Sequence, residues 1–241
     1  GASVVNLFRD GSQGEAFDFT NPMLYTEPPM VGGAFPGTRS MVGPGELRTV
    51  AGREVRIERH GGRLVTSQPL GATERLPLIS DEPLLMQWPC TLVFSVKADA
   101  QQSGRLPVFW QHGGGEEGRV QITLNARLGS GVLTDNDRLQ VFIAGITDGK
   151  GINEMPLQAE TPRGTATVVA LVMREGKGAS EFWANGRLVD TFTAPPVIYQ
   201  TTSYLLGHQS ISNQQHGCYY GRILTINRAL PMHELEQACE W

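Results

Sequence analysis

The sequence predicts an all-β fold, a two-sheet β-sandwich closed by one short helix. Three observations point there. Apolar and polar residues alternate over several short segments; 29 Gly and 15 Pro among 241 residues suit a chain of strands and turns; and one segment alone, after Ile226, carries a convincing helix start.

Residues 1–45 hold eight Gly and five Pro, including Thr26-Glu-Pro-Pro29 and Val31-Gly-Gly-Ala-Phe-Pro-Gly37. Such a stretch sustains neither a helix nor a long strand. It also carries Phe8, Phe17, Phe19, Leu24, Tyr25 and Phe35, which a free linker would not need. The expectation is an extended arm, residues 1–45, pinned to its own domain or to a neighbouring subunit, followed by a sandwich over residues 46–241.

Strands follow. Glu54-Val-Arg-Ile-Glu-Arg59 alternates. So does Thr91–Ala98, where Leu92, Phe94, Val96 and Ala98 share a face against Thr91, Ser95 and Lys97. Val120–Ala126 repeats the pattern, with Gln121, Thr123 and Asn125 on the polar side. Leu139–Ala144 and Thr165–Met173 are almost wholly apolar, as strands buried on both faces are. In Glu181–Val189, Asn185-Gly186 between apolar pairs is a strong local hairpin signal. Near the end, Ile223, Leu224 and Ile226 are strand positions. Asn227-Arg-Ala-Leu230 then makes a tight exit, and Pro231 fits the first helical position, where its missing N–H costs nothing.

Tyr219-Tyr-Gly-Arg-Ile-Leu-Thr-Ile-Asn-Arg-Ala-Leu-Pro-Met-His-Glu-Leu235 resembles the closing strand and helix of the laminin-G-like / concanavalin-A-like jelly-roll superfamily. Trp88–Ala98 is similar to an early strand of that family. Thr167–Met173, the turn Glu175-Gly-Lys-Gly178 and Phe182-Trp-Ala-Asn-Gly186 are similar to its paired strands. With Tyr204-Leu-Leu-Gly207 the resemblance covers about residues 60–241. It implies a jelly-roll sandwich of a kind that binds glycans or proteins more often than it catalyses.

Composition narrows the function. Hydrophobic residues at 40% support a real core, and a net charge of −4 gives no electrostatic reason to expect nucleic acid. No apolar run approaches the ~20 residues of a membrane-spanning helix. The start, Gly1-Ala-Ser-Val-Val-Asn6, lacks a charged segment followed by an apolar one, so no retained signal peptide is expected. Cys90, Cys218 and Cys239 lack metal-ligand spacing and read as buried free thiols, with a Cys218–Cys239 disulfide as the alternative.

Catalytic templates are missing. A glycosidase on this fold would show Glu-x-Asp-x-x-Glu on one strand, and an alginate lyase Arg-Thr-Glu-Leu-Arg; Glu46-Leu-Arg48 is only a fragment of the latter. Two segments are chemically richer. One holds Trp110, Gln111 and His112; the other, residues 207–216, holds His208, Gln209, Gln215 and His216. Amides and imidazoles match sugar hydroxyls, and an indole packs on the apolar face of a pyranose. Both segments are read as loops, expected to share one rim of the sandwich. In Thr134-Asp-Asn-Asp137, Asp135 and Asp137 offer carboxylates for calcium, the one metal expected, and the same residues read equally well as a turn.

The function expected is a non-catalytic, lectin-like binding or structural module, with a glycan or protein surface as partner. Its setting would be extracellular or the surface of a virion, as a decoration, spike or fibre subunit whose arm docks on a neighbour in an oligomer. The alternative is a polysaccharide lyase or glycoside hydrolase drawing on His112, His208, Tyr219, Tyr220, Asp135 and Asp137.

Overall fold

The computed structural model describes residues 3–49, 55–72, 78–80, 85–86, 89–98, 105–113, 120–127, 133–143, 157–162, 164–193, 199–206 and 216–241. The strands at the start of the chain are β1 (Gly14–Asp18), β2 (Thr38–Arg39), β3 (Glu46–Thr49), β4 (Arg56–His60) and β5 (Arg63–Ala72). Next come β6 (Leu78–Ser80), β7 (Leu85–Met86), β8 (Cys90–Ala98), β9 (Arg105–Gly113), β10 (Val120–Arg127) and β11 (Leu133–Ile143). The last are β12 (Leu157–Pro162), β13 (Thr167–Met173), β14 (Ser180–Ala184), β15 (Arg187–Phe192), β16 (Tyr199–Leu206) and β17 (His216–Ile226), followed by helix α1 (Met232–Glu240).

These strands form two antiparallel sheets. The first runs β15-β14-β13-β8-β17-β5-β4, with β1 also on β17; the second runs β12-β11-β10-β9-β16-β6-β3-β2, with β7 also on β16. The architecture is the two-sheet sandwich that the alternating segments predict, of the jelly-roll kind that the resemblance implies.

Alternation on β8 decides which face meets which core. Leu92, Phe94 and Val96 enter the core between the sheets, together with Val169, Leu171, Met173, Phe182, Ile223, Leu47 and Leu78. Val93, Ala170, Val172, Leu224 and Ile226 instead form a second core on the outer face of the first sheet. Thr167–Met173 reads as an unbroken apolar run because both of its faces are covered. The outer cover comes from the 3-10 turn Val4–Phe8, which supplies Val4 and Leu7, and from α1, which supplies Leu235 and Ala238. Burying side chains of this size contributes about 1.5–3 kcal/mol each.

The N-terminal segment departs from the expected arm. β1 is a strand of the first sheet, with Ala16 opposite Leu224 and Phe17 opposite Ile223. Phe17 and Phe19 are fully buried, and with Tyr25 and Phe35 they belong to the core between the sheets. Phe35 meets Phe19 and Tyr25 edge-on at 5.9 and 5.8 Å, and the Tyr25 hydroxyl donates to the Phe19 carbonyl at 2.6 Å. The aromatic residues that suggested docking on a neighbouring subunit are consumed inside their own sandwich. Glycine and proline prevented long regular structure without preventing burial.

Both ends of the described chain meet at one arginine. Arg228 contacts Glu234 of α1, reaches Asp10 at 3.1 Å and donates to the Leu7 carbonyl at 2.6 Å. Thr91 secures the same exit, donating to the Arg228 carbonyl at 2.8 Å and accepting from the Leu230 N–H at 3.1 Å. Pro231 sits one position earlier than expected. It is the N-cap, extended at ψ 163°, and its carbonyl accepts from Leu235 at 2.9 Å. Cys90 and Cys239 are free thiols, so the alternative disulfide does not form; burial pushes the Cys90 thiol up to about 12. The Cys218 side chain lies outside the described residues.

Asn185-Gly186 is the predicted hairpin turn, with φ of 49° and 76°, and Ala184 faces Arg187. Asn185 also ties the turn to β13, its Oδ1 accepting from the Val168 N–H at 2.8 Å and its N–H donating to the Val168 carbonyl at 2.8 Å. A Cβ at Gly186 would meet open space, so its substitution costs backbone strain alone.

Two outcomes follow from this packing. Gly186→Val lowers stability by about 1–3 kcal/mol, measured by denaturant titration; an unchanged midpoint would remove the turn assignment. Deleting residues 1–45 abolishes the cooperative unfolding transition, and Phe17→Ala alone costs about 3–5 kcal/mol. A truncated chain that still unfolds cooperatively would show that the segment is dispensable to the core.

Candidate functional site

The outer face of the first sheet is covered over only part of its length. Beyond the second core it opens into a groove lined by Thr20, His60, Arg63, Val65, Ser95, Val96, Lys97, Ala166, Tyr219, Gly221 and Arg222, with a volume of about 160 Å³. Four strands, β4, β5, β8 and β17, supply its chemistry.

His60 and Arg63 come from the β4–β5 hairpin. Gly61 and Gly62, at φ of 54° and 80°, form a two-residue turn that sets His60 opposite Arg63. The parity that buries Ile57 and Leu64 in the core turns His60 and Arg63 outward. Lys97 lies on β8 directly opposite Tyr219 of β17. The Tyr219 and His60 rings stack with centroids 4.8 Å apart and planes 18° from parallel. Lys97 contacts His60 Nε2, and its ammonium lies 6.0 Å from the Tyr219 ring centroid. An ammonium has no lone pair, so Lys97 donates and the imidazole nitrogen accepts.

A β-bulge at Gly221 makes this arrangement compatible with the core. Tyr220 pairs with Val96 and Arg222 with Ser95, leaving Gly221 as the extra residue. Before the bulge Tyr219 faces out and Tyr220 is buried; after it Arg222 faces out and Ile223 is buried. The Ser95 hydroxyl accepts from the Arg222 N–H at 2.9 Å, and the Gly221 carbonyl accepts from the Phe19 N–H at 2.9 Å. A Cβ at Gly221 would lie 2.6 Å from Ser95 Oγ, so the close approach requires glycine.

Arg222 forms the groove's end wall and is already neutralised. Its Nε lies 3.2 Å from buried Asp18, its Nη2 donates to Thr20 Oγ1 at 3.4 Å, and the guanidinium lies 5.3 Å from the Trp241 ring centroid. Thr20 in turn donates to Asp18 from its hydroxyl at 2.6 Å and from its N–H at 2.9 Å. Arg63 and Lys97 have no carboxylate partner among the described residues.

Of the residues expected to form a site, those that are described do not gather here. Trp110, Gln111 and His112 lie within strand β9, not in a loop; they face Leu205, Tyr204 and Ser203 of β16. His208, Gln209 and Gln215 lie outside the described residues. His216 is the first residue of β17, in the other sheet, opposite Ala72. Gly113 pairs with Thr201 and Phe109 with Leu206, so β9 and β16 run antiparallel with their described ends apart. Asp135 and Asp137 lie in β11, with Asp137 opposite Thr161, so this stretch is strand and not turn. Among the described residues no cluster of three metal-ligating side chains occurs. Tyr220, a candidate for catalysis, is a 1% exposed core residue.

No family model matches this sequence, and no curated protein matches it. Solved structures do match in fold. One is of botulinum neurotoxin type C, whose cell entry is dependent upon interaction with two ganglioside molecules. It is similar at TM-score 0.59 and 8% identity, covering 99% of this chain and 53% of its own. Another is the binding domain of botulinum neurotoxin DC in complex with SialylT, at TM-score 0.53 and 9% identity, covering 81% of this chain and 46% of its own. The same binding domain in complex with rat synaptotagmin II gives TM-score 0.55 and 8% identity, covering 83% of this chain and 48% of its own. The likeness is one of fold, and this chain spans about half the length of each of these structures.

Gly221→Ala destabilises the protein by about 1–3 kcal/mol through overpacking against Ser95. Adding Ser95→Ala recovers part of that loss, because the clash is with the hydroxyl and Ser95 Cβ is 3.8 Å away. A thermodynamic cycle on the two single variants and the double checks this; strict additivity would show that the bulge tolerates a side chain.

Proposed function

We propose that this chain is a non-catalytic binding module and that the groove on the outer face of its first sheet takes a glycan. The stacked, partly exposed His60–Tyr219 pair carries the reading. Two rings on a sheet surface offer an apolar platform, and Ser95, Thr20 and Lys97 beside them offer hydrogen-bonding groups suited to sugar hydroxyls. The fold matches, which include domains that bind gangliosides or SialylT, support a recognition role.

Among the described residues the groove lining contains no Asp or Glu. Glycoside hydrolysis draws on a carboxylate pair about 5–9.5 Å apart across the scissile bond, so the lining favours binding over hydrolysis. The finer setting is a virion decoration, spike or fibre subunit; any docking by the N-terminal arm would draw on residues other than Phe17, Phe19, Tyr25 and Phe35, which lie in the chain's own core.

The test is titration of the parent, Tyr219→Ala, and the double variant His208→Ala/Gln209→Ala against a glycan selected on an array. Tyr219→Ala should weaken binding about tenfold, the worth of one stacking platform, while its thermal transition moves little. Full affinity in Tyr219→Ala with loss in the double variant would move the site to residues 207–216. No hit on the array would overturn glycan recognition in favour of a protein ligand.

A further inference from the structure

We infer that the groove selects a sugar carrying an anionic group, a carboxylate or a sulfate. The inference rests on the glycan reading and specifies its ligand class.

Charge in this chain runs the other way overall, with 24 Asp and Glu against 20 Lys and Arg. The groove departs from that balance. Among the described residues its lining has three cations, Arg63, Lys97 and Arg222, and no carboxylate. Arg222 is held by Asp18 at 3.2 Å, which leaves Arg63 and Lys97 as the cations open to a ligand. The acidic group beside the groove on this face is Asp18, opposite Arg222 and already paired with it; the next is Glu58, which pairs with Val65 on β5. It lies outside the lining.

The two cations border the aromatic pair. Lys97 lies across from Tyr219 and touches His60, and Arg63 lies across from His60 on the hairpin. A ring stacked on His60 and Tyr219 would therefore have a positive group on either side within reach of its substituents. A neutral sugar would leave both charges without a partner; an anionic one would meet them with charge-assisted hydrogen bonds.

The experiment compares sialyllactose, a glucuronate disaccharide and a sulfated lactose with neutral lactose, by chemical-shift titration of the full chain. The parent, Lys97→Met, Arg63→Gln and Tyr219→Ala are each tested. At least one anionic ligand should bind on the order of tenfold more tightly than lactose, and each charge variant should remove most of that preference. Added salt should erode the preference as well. The three anionic arms separate carboxylate from sulfate. Lactose binding as well as every anionic ligand, with Tyr219→Ala weakening all of them, would overturn anion selection and leave glycan recognition standing. No binding by any of the four would overturn both. An unsaturated uronate accumulating from the glucuronate ligand would overturn the non-catalytic reading and keep the anion preference.

Discussion

One edge of β17 is shared by two partners, and the rest of the molecule is arranged around that handover. β5 occupies the edge along Cys218–Tyr220, and β1 takes it over from Arg222 to Ile226. The change falls at Gly221, where the bulge inserts one residue opposite β8. A strand has a side-chain period of two, so one inserted residue exchanges the faces of everything beyond it. Without that exchange, Arg222 would point into the core between the sheets and Ile223 out of it. The bulge lets a single strand present a binding ring at one end and core residues at the other.

The same strand explains why the first sheet can carry a surface site at all. A sandwich buries one face of each sheet and leaves the other to solvent. Here the solvent side of the first sheet is divided. Val93, Ala170, Val172 and Leu224 lie under the Val4–Phe8 turn and α1, while Lys97, Ser95 and Tyr219 stay in the open part. Asp18, Arg222 and Trp241 stand at the border, and their contacts close the apolar part against water. The covered half holds the strands rigid, and the side chains of the open half project from that fixed surface. Sites built on strands hold their geometry more tightly than sites built on loops.

Legibility tracked the range of the interactions involved. Asn185-Gly186, the alternation of β8 and the run of β13 are local signals, and each appears where the residues put it. Pro231 was off by one place because a proline serves as N-cap or first helical residue with little local difference. The fate of Phe17 and Phe19 was not local: their partners lie some two hundred residues on, and glycine and proline nearby suggested a tail. Trp110 and His112 were read as loop residues because three glycines follow His112, yet β9 continues through Gly113. The groove went unseen for a related reason. Tyr219 stood out, but His60 and Lys97 join it only once β4, β8 and β17 are laid side by side. Gly61-Gly62 between alternating segments was the missed clue, since a two-residue turn fixes which residues face each other across it.

The pairing of β1 with β17 also sets an order of events. The Glu15 N–H meets Thr225 Oγ1 across 210 positions of sequence. A ribosome makes roughly 5–20 residues each second, so Phe17 and Phe19 emerge roughly ten seconds or more before the strand that covers them exists. Through that interval the first sheet lacks the strand that joins β8 to β5 and β1, and the two aromatic rings have no strand to pair beside. Contacts this distant are slow to form and leave a nascent chain open to aggregation. Gly14 at the start of the strand, with Gly11 and Pro22 on either side of it, weakens its tendency to pair with anything else in the meantime.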